Sequence, residues 1–479
     1  MFDRAERGVQ AAIDAGATYA DARAVLDRTE TIEVQNQHLD TLDVDESIGV
    51  GVRALVGSSW GFAATSDLSD SGLAECGRKA AQIAAASALV SGPPLVLGDV
   101  PVVDTFWETP HIENPFDVST TEKIDMLVDV TRTMQSVEGV GIAYATVEGW
   151  DTNKWFVSSH GHRIHQHLVE AGGYYSAAAI GERETQIRSY PQSFGQYESG
   201  GYETIRKWDY PAHAQRIAEE AVALLSAPEM EERETSLVLE SSQLALQIHE
   251  SVGHAIELDR ILGWEAAFAG TSHLQLERLG SHRYGSELMN VTADATIQGA
   301  LGTFGFDDEG SPASCVDIVK DGIWVGTLSG RDSAAVAGLP SGGMVRGDGY
   351  SKIPMVRMTN VGLLPGEGSL DDIIADTEDG VYMSTNRSWS IDDRRLNFQF
   401  GCEIGYEIKN GELGRMVKNP TYTGITPQFW GSLDRLAGEE EWTHWGIPNC
   451  GKGQPVQTAH TGHSASPGRF ANVRVGVKG

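Results

Sequence analysis

The residues best equipped for chemistry lie near the middle of the chain, in His249-Glu250-Ser251-Val252-Gly253-His254. Two imidazoles and a carboxylate this close together are the minimum kit for holding Zn²⁺ and activating a water molecule. The pattern is H-E-x-x-x-H, one residue longer than the H-E-x-x-H of ordinary zinc-protease helices. Leu244, Ile248, Val252 and Ile256 recur every four residues around it, an apolar stripe that predicts a helix through the motif. An ideal helix turns ~100° per residue, so imidazoles five apart would diverge by ~140°. A π-bulge or a distortion near Gly253 would realign them, and glycine lowers the cost of such a distortion.

A catalytic zinc takes three protein ligands and keeps one position open. The third ligand must come from elsewhere, and Glu257, Asp259, His273, His282, Cys450, His460 and His463 are the candidates. Cys450 has the most suggestive setting. It stands in Asn449-Cys450-Gly451-Lys452-Gly453-Gln454, read as a tight loop where Lys452 either favours the thiolate or faces solvent. Glu250 is the candidate general base.

Other conspicuous groups have milder readings. His160, His162, His165 and His167 are read as a solvated strand or hairpin in preference to a metal site. Asp307-Asp308-Glu309 is read as a structural acidic turn in preference to a cation site. Arg357 either clamps a peptide carbonyl or carboxylate or pairs with a core acid.

These side chains need a scaffold. A short helix is predicted over residues 4–15, then strands at Tyr19–Leu26, Glu30–Leu42 and Ile48–Leu55, and a long alanine-rich helix over 69–86. Residues 90–115 read as a connection. Ser119-x-x-Glu122 is a capping-box pattern opening a second helix. Strands follow from about 139 to 188, then a helix near 212–225. The polar, proline-bearing stretch Ser226–Glu234 is the predicted boundary between an N-terminal α/β domain (1–228) and a C-terminal β-rich domain (229–479). In the second domain a strand at 236–239 leads into a helix over 241–258, followed by strands at 313–319, 323–328, 380–384 and 397–408. Short helices are predicted near Leu370 and Gln428. The fold class is α+β.

A net charge of −31, from 67 acidic and 36 basic residues, argues against nucleic-acid binding. Four scattered cysteines suggest a reducing compartment rather than a disulfide framework. No signal segment and no membrane-spanning apolar run is visible, so a soluble cytoplasmic protein is expected.

His249 to Asp259 resembles the signature of the TldD/PmbA family of metalloproteases. Further blocks agree in order: Phe306-Asp307-Asp308-Glu309-Gly310, Pro354-Met355-Val356-Arg357-Met358-Thr359-Asn360 and Cys450-Gly451-Lys452-Gly453-Gln454, the last with one residue fewer than the family's loop. Gly51-Val52-Arg53 and Trp60-Gly61-Phe62-Ala63 fit the family's N-terminal strands. The resemblance implies a metal-bearing, TldD-like member in which His249, His254 and Cys450 hold one Zn²⁺ per chain and Glu250 is the general base. It further implies a two-domain architecture, short or unfolded peptides as substrates, and a homodimer or a heterodimer with a metal-free sibling. The rival reading is a non-catalytic scaffold partner of a related protease.

Overall fold

The structure is a computed structural model that describes residues 1–90, 94–268 and 270–477. Its N-terminal half is organised by an eight-stranded sheet formed by β1 (Tyr19–Gln35), β2 (His38–Val56), β3 (Ser59–Thr65), β4 (Asp104–Glu108), β5 (Val140–Ser158), β6 (Arg163–Ile180), β7 (Thr185–Tyr190) and β8 (Gln196–Ser199). The order is β3-β2-β1-β5-β6-β4, with β7 and β8 also paired to β6; only β4 runs parallel to its neighbour.

Alternation along the strands gives this sheet two unlike faces. Ala20, Ala22 and Ala24 of β1 face α1 (Phe2–Asp14) and α2 (Asp70–Ser87). Ile32 and Val34 of β1, with Ala143, Ala145 and Val147 of β5, face α3 (Thr120–Gln135) and α5 (Tyr210–Ser226), the latter following the short α4 (Glu203–Lys207). Small residues set the helix distance: a Cβ on Gly77 would lie 2.1 Å from the Gly8 carbonyl oxygen. The opposite face carries Asp21, Arg23, Asp27, Thr29 and Glu33 of β1, and it is polar because it meets the C-terminal half through ion pairs.

That second half contains a seven-stranded sheet beginning with β9 (Arg233–Leu239). Strand Asp379–Ile391 pairs with both β9 and Asn397–Lys409, so the pairings close on themselves through Thr421–Ile425 and Gly468–Val475. The helix α6 (Ser241–Ile248) follows β9 directly, and all eight of its residues are buried. Mixed α and β structure is therefore the observed class. Among the described residues no helix is long and apolar enough to cross a membrane.

Several sequence expectations need correction. The strands expected at 19–26, 30–42 and 48–55 are two long ones, because Asn36 and Gln37 adopt φ of 52° and 67° and turn a tight hairpin. The connection expected over 90–115 contains β4, held by parallel pairing to β6, while residues 91–93 of it lie outside the described residues. Ser119 stands at the α3 N-cap without a side-chain cap bond, and Glu122 instead pairs with Arg206 at 2.7 Å. The strand expected at 323–328 shortens to Ile323–Trp324. The helix expected over 241–258 stays regular only to Ile248.

Candidate metal centre

The motif occupies a wide turn, His249–Gly253, in which the His254 amide donates to the His249 carbonyl at 3.1 Å, an i to i+5 bond. Neighbours hold the irregularity in place. The Ser251 carbonyl accepts from the Tyr284 hydroxyl (2.5 Å), and the Ser251 hydroxyl accepts from the Trp430 indole (2.9 Å). Gly253 is needed for a reason the sequence did not reveal: a Cβ there would lie 2.1 Å from the Met358 sulfur. Beyond His254 the chain leaves the helix and bonds to Leu328 through Ile256 and Leu258. The extra residue thus brings the two imidazoles face to edge, centroids 4.8 Å apart.

Cys450 completes a group whose three ligand atoms lie within 4.8 Å of one another, all on buried residues. Among the described residues no other group of three histidine, cysteine or acidic side chains converges so. Cys450 is on strand Thr443–Lys452, opposite Ala459 of Gln457–Ala465, rather than in the tight loop expected. Lys452 neither faces solvent nor touches the thiol. It is fully buried and bonds both oxygens of Asp259 at 2.8 Å, with Glu257 at 3.1 Å. Among the described residues Arg357 pairs with no acid; its guanidinium donates to the carbonyls of Gln457 (3.1 Å) and Cys450 and so pins the hairpin bearing the thiol.

The hydrogen bonds fix the state of each donor. His463 Nδ1 lies 3.0 Å from the Val361 carbonyl, to which it must donate, so its Nε2 is an acceptor. His249 Nδ1 lies 2.7 Å from that Nε2 and is therefore the protonated nitrogen. His254 Nδ1 donates to Glu257 at 3.0 Å. Both imidazoles consequently turn a bare Nε2 toward the centre, where His254 Nε2 is 3.8 Å from the Cys450 sulfur. Burial pushes His249 down to about 4 and also lowers His254, so both are neutral at pH 7. Burial alone would raise the Cys450 thiol, but the bare Nε2 of His254, which can take up the thiol's proton, and the Arg357 guanidinium outweigh it and hold the thiol below its ordinary value. Two neutral imidazoles and an acidified thiol are the donor states that zinc requires, so these residues fit the ion.

The remaining third-ligand candidates sit elsewhere. Glu257 and His463 stand behind the two imidazoles, a placement typical of groups that orient metal ligands. Asp259 is taken by Lys452, His460 bonds Glu170 at 2.6 Å, and His273 lies against the Arg394 carbonyl. The ring of His282 lies 6.3 Å from that of His273. The four clustered histidines lie on and beside the β5–β6 hairpin with partners of their own: His160 packs edge-on against Tyr19, His162 bonds Ser158, His165 stacks on Trp155 and His167 bonds Asp151.

One neighbour had no sequence signal. Arg395 sits in the turn between Asp379–Ile391 and Asn397–Lys409, with φ of 60°, and its Nη1 bonds Glu250 Oε2 at 2.5 Å. The other oxygen, Oε1, has no protein hydrogen bond among the described residues. A carboxylate held by one oxygen and open at the other, beside three converging donors, can accept and return a proton.

Known proteins share this whole plan. Profiles for PmbA/TldA metallopeptidase domain 1, central domain and C-terminal domain match residues 20–84, 113–225 and 232–475. A metalloprotease of Methanocaldococcus jannaschii is 28% identical over 93% of this chain and 94% of its own. A protein of Saccharolobus solfataricus named zinc metalloprotease TldD homolog is 25% identical over 48% of this chain and 49% of its own. A Thermotoga maritima structure titled as a putative modulator of a DNA gyrase superposes with a TM-score of 0.77 at 17% identity, covering 99% of both chains. TldE from Thermococcus kodakarensis gives 0.73 at 15%, over 98% of this chain and 99% of that one. With its C-terminal profile alone spanning half the residues, the chain belongs to the PmbA/TldD family of metallopeptidases.

Proposed function

We propose that this protein is a zinc-dependent peptidase that hydrolyses short or unfolded peptides, with Glu250 as general base and His249, His254 and Cys450 as ligands of one Zn²⁺. The observation that carries this reading is the convergence of two bare Nε2 atoms and one acidified sulfur beside a half-free carboxylate. The name of the S. solfataricus relative supports zinc as the metal. Bound zinc would acidify a water molecule and polarise the scissile carbonyl. Glu250 Oε1 takes a proton from the attacking water and delivers it to the leaving amine as the C–N bond breaks. Arg395 aims the carboxylate by holding Oε2. His463 and Glu257 fix the tautomers of the two imidazoles. The buried setting keeps bulk water from competing.

The decisive experiment combines metal analysis with digestion of a mixed peptide library read by mass spectrometry. The wild type is expected to carry one zinc per chain and to cleave. Glu250→Gln should retain zinc and lose turnover by roughly 10²–10⁴-fold. Undiminished hydrolysis by Glu250→Gln would overturn the general-base assignment. A purified protein without zinc and without cleavage would favour the scaffold reading, which the intact Glu250 argues against.

We further propose a division into domains at 228/229, supported by the separation of the two main sheets at that point, and a cytoplasmic setting in keeping with four free cysteines. Assembly as a homodimer, or with a metal-free sibling, is supported by the likeness to TldE; light scattering of the chain alone and mixed with such a sibling tests it.

A further inference from the structure

The polar face of the N-terminal sheet does more than meet the C-terminal half. Asp27 and Glu33 of β1, Glu148 of β5 and Asp348 line a hollow of about 510 Å³, within the ~300–1,000 Å³ usual for ligand pockets. Their partners are neutral: Thr152 for Asp27 (2.5 Å), Tyr144 for Glu33 (2.6 Å), Tyr197 for Glu148 (2.5 Å) and the Thr458 amide for Asp348 (2.9 Å). Among the described residues no lysine or arginine pairs with any of the four. The one histidine in the lining, His460, bonds Glu170 and reaches Asp27 and Glu148 only through its charge, with no hydrogen bond to either among the described residues. The walls between the acids are aromatic, formed by Tyr144, Trp150, Tyr174 and Tyr197. Thr146, only 2% exposed, faces the same hollow from β5 with its hydroxyl unpartnered.

We propose that this hollow binds an organic cation, an alkylammonium or guanidinium group carried on a peptide, at a site distinct from the metal centre. Asp27, Glu33 and Glu148 are half-buried and Asp348 is exposed. Burial raises Asp27 and Glu148, and the charge of His460 offsets that only in part, so the hollow keeps an uncompensated cost. A cation arriving from solution relieves that cost, and the aromatic faces favour an organic one through cation–π attraction. A bare metal ion fits poorly, because these carboxylates do not converge as a ligand group. The site lies on the reverse of the hairpin that carries the thiol. Cys450 and Ala459 are paired and share a face with Thr461 and His463, whereas Thr458 and His460 project from the other face into the hollow. A basic residue remote from the cleaved bond would thus be gripped behind the metal centre. That the cation comes on a peptide rests on the peptidase reading; the charge balance of the hollow does not.

Binding tests this without turnover. Full-length, zinc-loaded Glu250→Gln protein is titrated by calorimetry with acetyl-Ala-Lys-Ala-amide, with its norleucine counterpart, and with a free diamine such as putrescine. The lysine peptide is expected to bind at least ~10-fold tighter than the norleucine peptide, a difference of about 1.4 kcal/mol. The double change Glu148→Gln, Asp348→Asn should shrink that preference below ~3-fold while zinc content and circular dichroism hold. Equal affinity for the two peptides overturns the proposal and needs no folded variant. So does a preference that survives the double change in a folded protein. Binding of the diamine with none of the lysine peptide overturns the assignment to peptides. Absence of hydrolysis in the wild type bears on the metal centre alone, because every affinity here is read in protein that does not turn over.

Discussion

Two constellations of buried charged and polar groups lie in the C-terminal half, and they are built on opposite plans. In the acidic turn every carboxylate is satisfied from within. Asp308 pairs with Arg23 (2.8 Å) and Lys154 (2.7 Å), Glu309 with Arg53 (3.0 Å), and Asp307 accepts backbone amides of Glu309, Ser311 and Val345. Burial would raise Asp308, but Lys154 and Arg23 hold it down at about 2, whereas burial outweighs the partners of Glu309 and Asp307 and pushes them up to about 8 and about 6. In the candidate metal centre the outward nitrogens are satisfied, while the inward atoms of His249, His254 and Cys450 have, among the described residues, no hydrogen-bond partner outside the group. Complete internal pairing marks a structural clasp, here between the N-terminal sheet and the C-terminal half. Convergent, unanswered donors mark a place for something the chain does not itself supply.

The sharpest way to break this contrast is to remove one charge from each side. Asp308→Asn leaves Arg23 buried without its full partner and is expected to cost about 3–5 kcal/mol of stability, visible in urea melts, while the surviving folded fraction keeps its zinc. Cys450→Ser should do the reverse, losing zinc on dialysis with a smaller loss of stability measured in metal-free protein. A fall in zinc content in folded Asp308→Asn, or none in Cys450→Ser, would erase the distinction. A smaller effect is expected behind the ligands. His463→Phe deprives the His249 Nδ1–H of its acceptor and should weaken zinc binding about 10–100-fold in chelator competition, with partial recovery in His463→Gln. Unchanged affinity in His463→Phe would remove His463 from the centre's support.

How legible these two regions were in the sequence differs for a physical reason. The His249–His254 spacing carried its own geometry, since five residues on one helix demand a wide turn if both rings are to meet. Cys450 could be nominated by residue type, but its strand setting depended on pairing with Gln457–Ala465, which no local pattern fixes. The partners of Lys452 and Arg357 were not foreseen because a buried cation's partner is chosen by tertiary packing: acids near the motif for one, carbonyls of a distant hairpin, in place of the core acid that was one of its two readings, for the other. Arg395 had no signal at all, since its value lies in where a hairpin turn happens to land. The hairpin at Asn36–Gln37 was missed because neither residue is glycine, although asparagine tolerates the left-handed region. Element types followed from periodicity, whereas the acidic hollow requires two strands, β1 and β5, to be seen side by side.

The Arg395 turn offers the finest test, because one titratable ring leans on it. His273 donates from both its backbone amide (2.8 Å) and its Nδ1 (3.2 Å) to the carbonyl of Arg394, next to the residue that holds Glu250. Burial pushes His273 down to about 4, against an ordinary value near 6.5. Its folded pKa is thus below its unfolded one. Between about pH 6.5 and 4 the unfolded chain takes up a proton that the folded ring excludes, so this contribution to stability is complete above pH 6.5 and drains away as pH falls toward 4. After allowance for the ring's partial exposure the loss is on the order of 1–2 kcal/mol. His273→Gln keeps a donor near Arg394 but cannot titrate. Urea melts of metal-free protein at about pH 7 and about pH 4.5 should therefore show a shallower acid loss in the variant than in the wild type, by roughly that amount. Parallel losses in the two proteins would mean that the turn presenting Arg395 to Glu250 does not depend on a neutral ring at 273, and that its acid sensitivity lies in the ligands themselves.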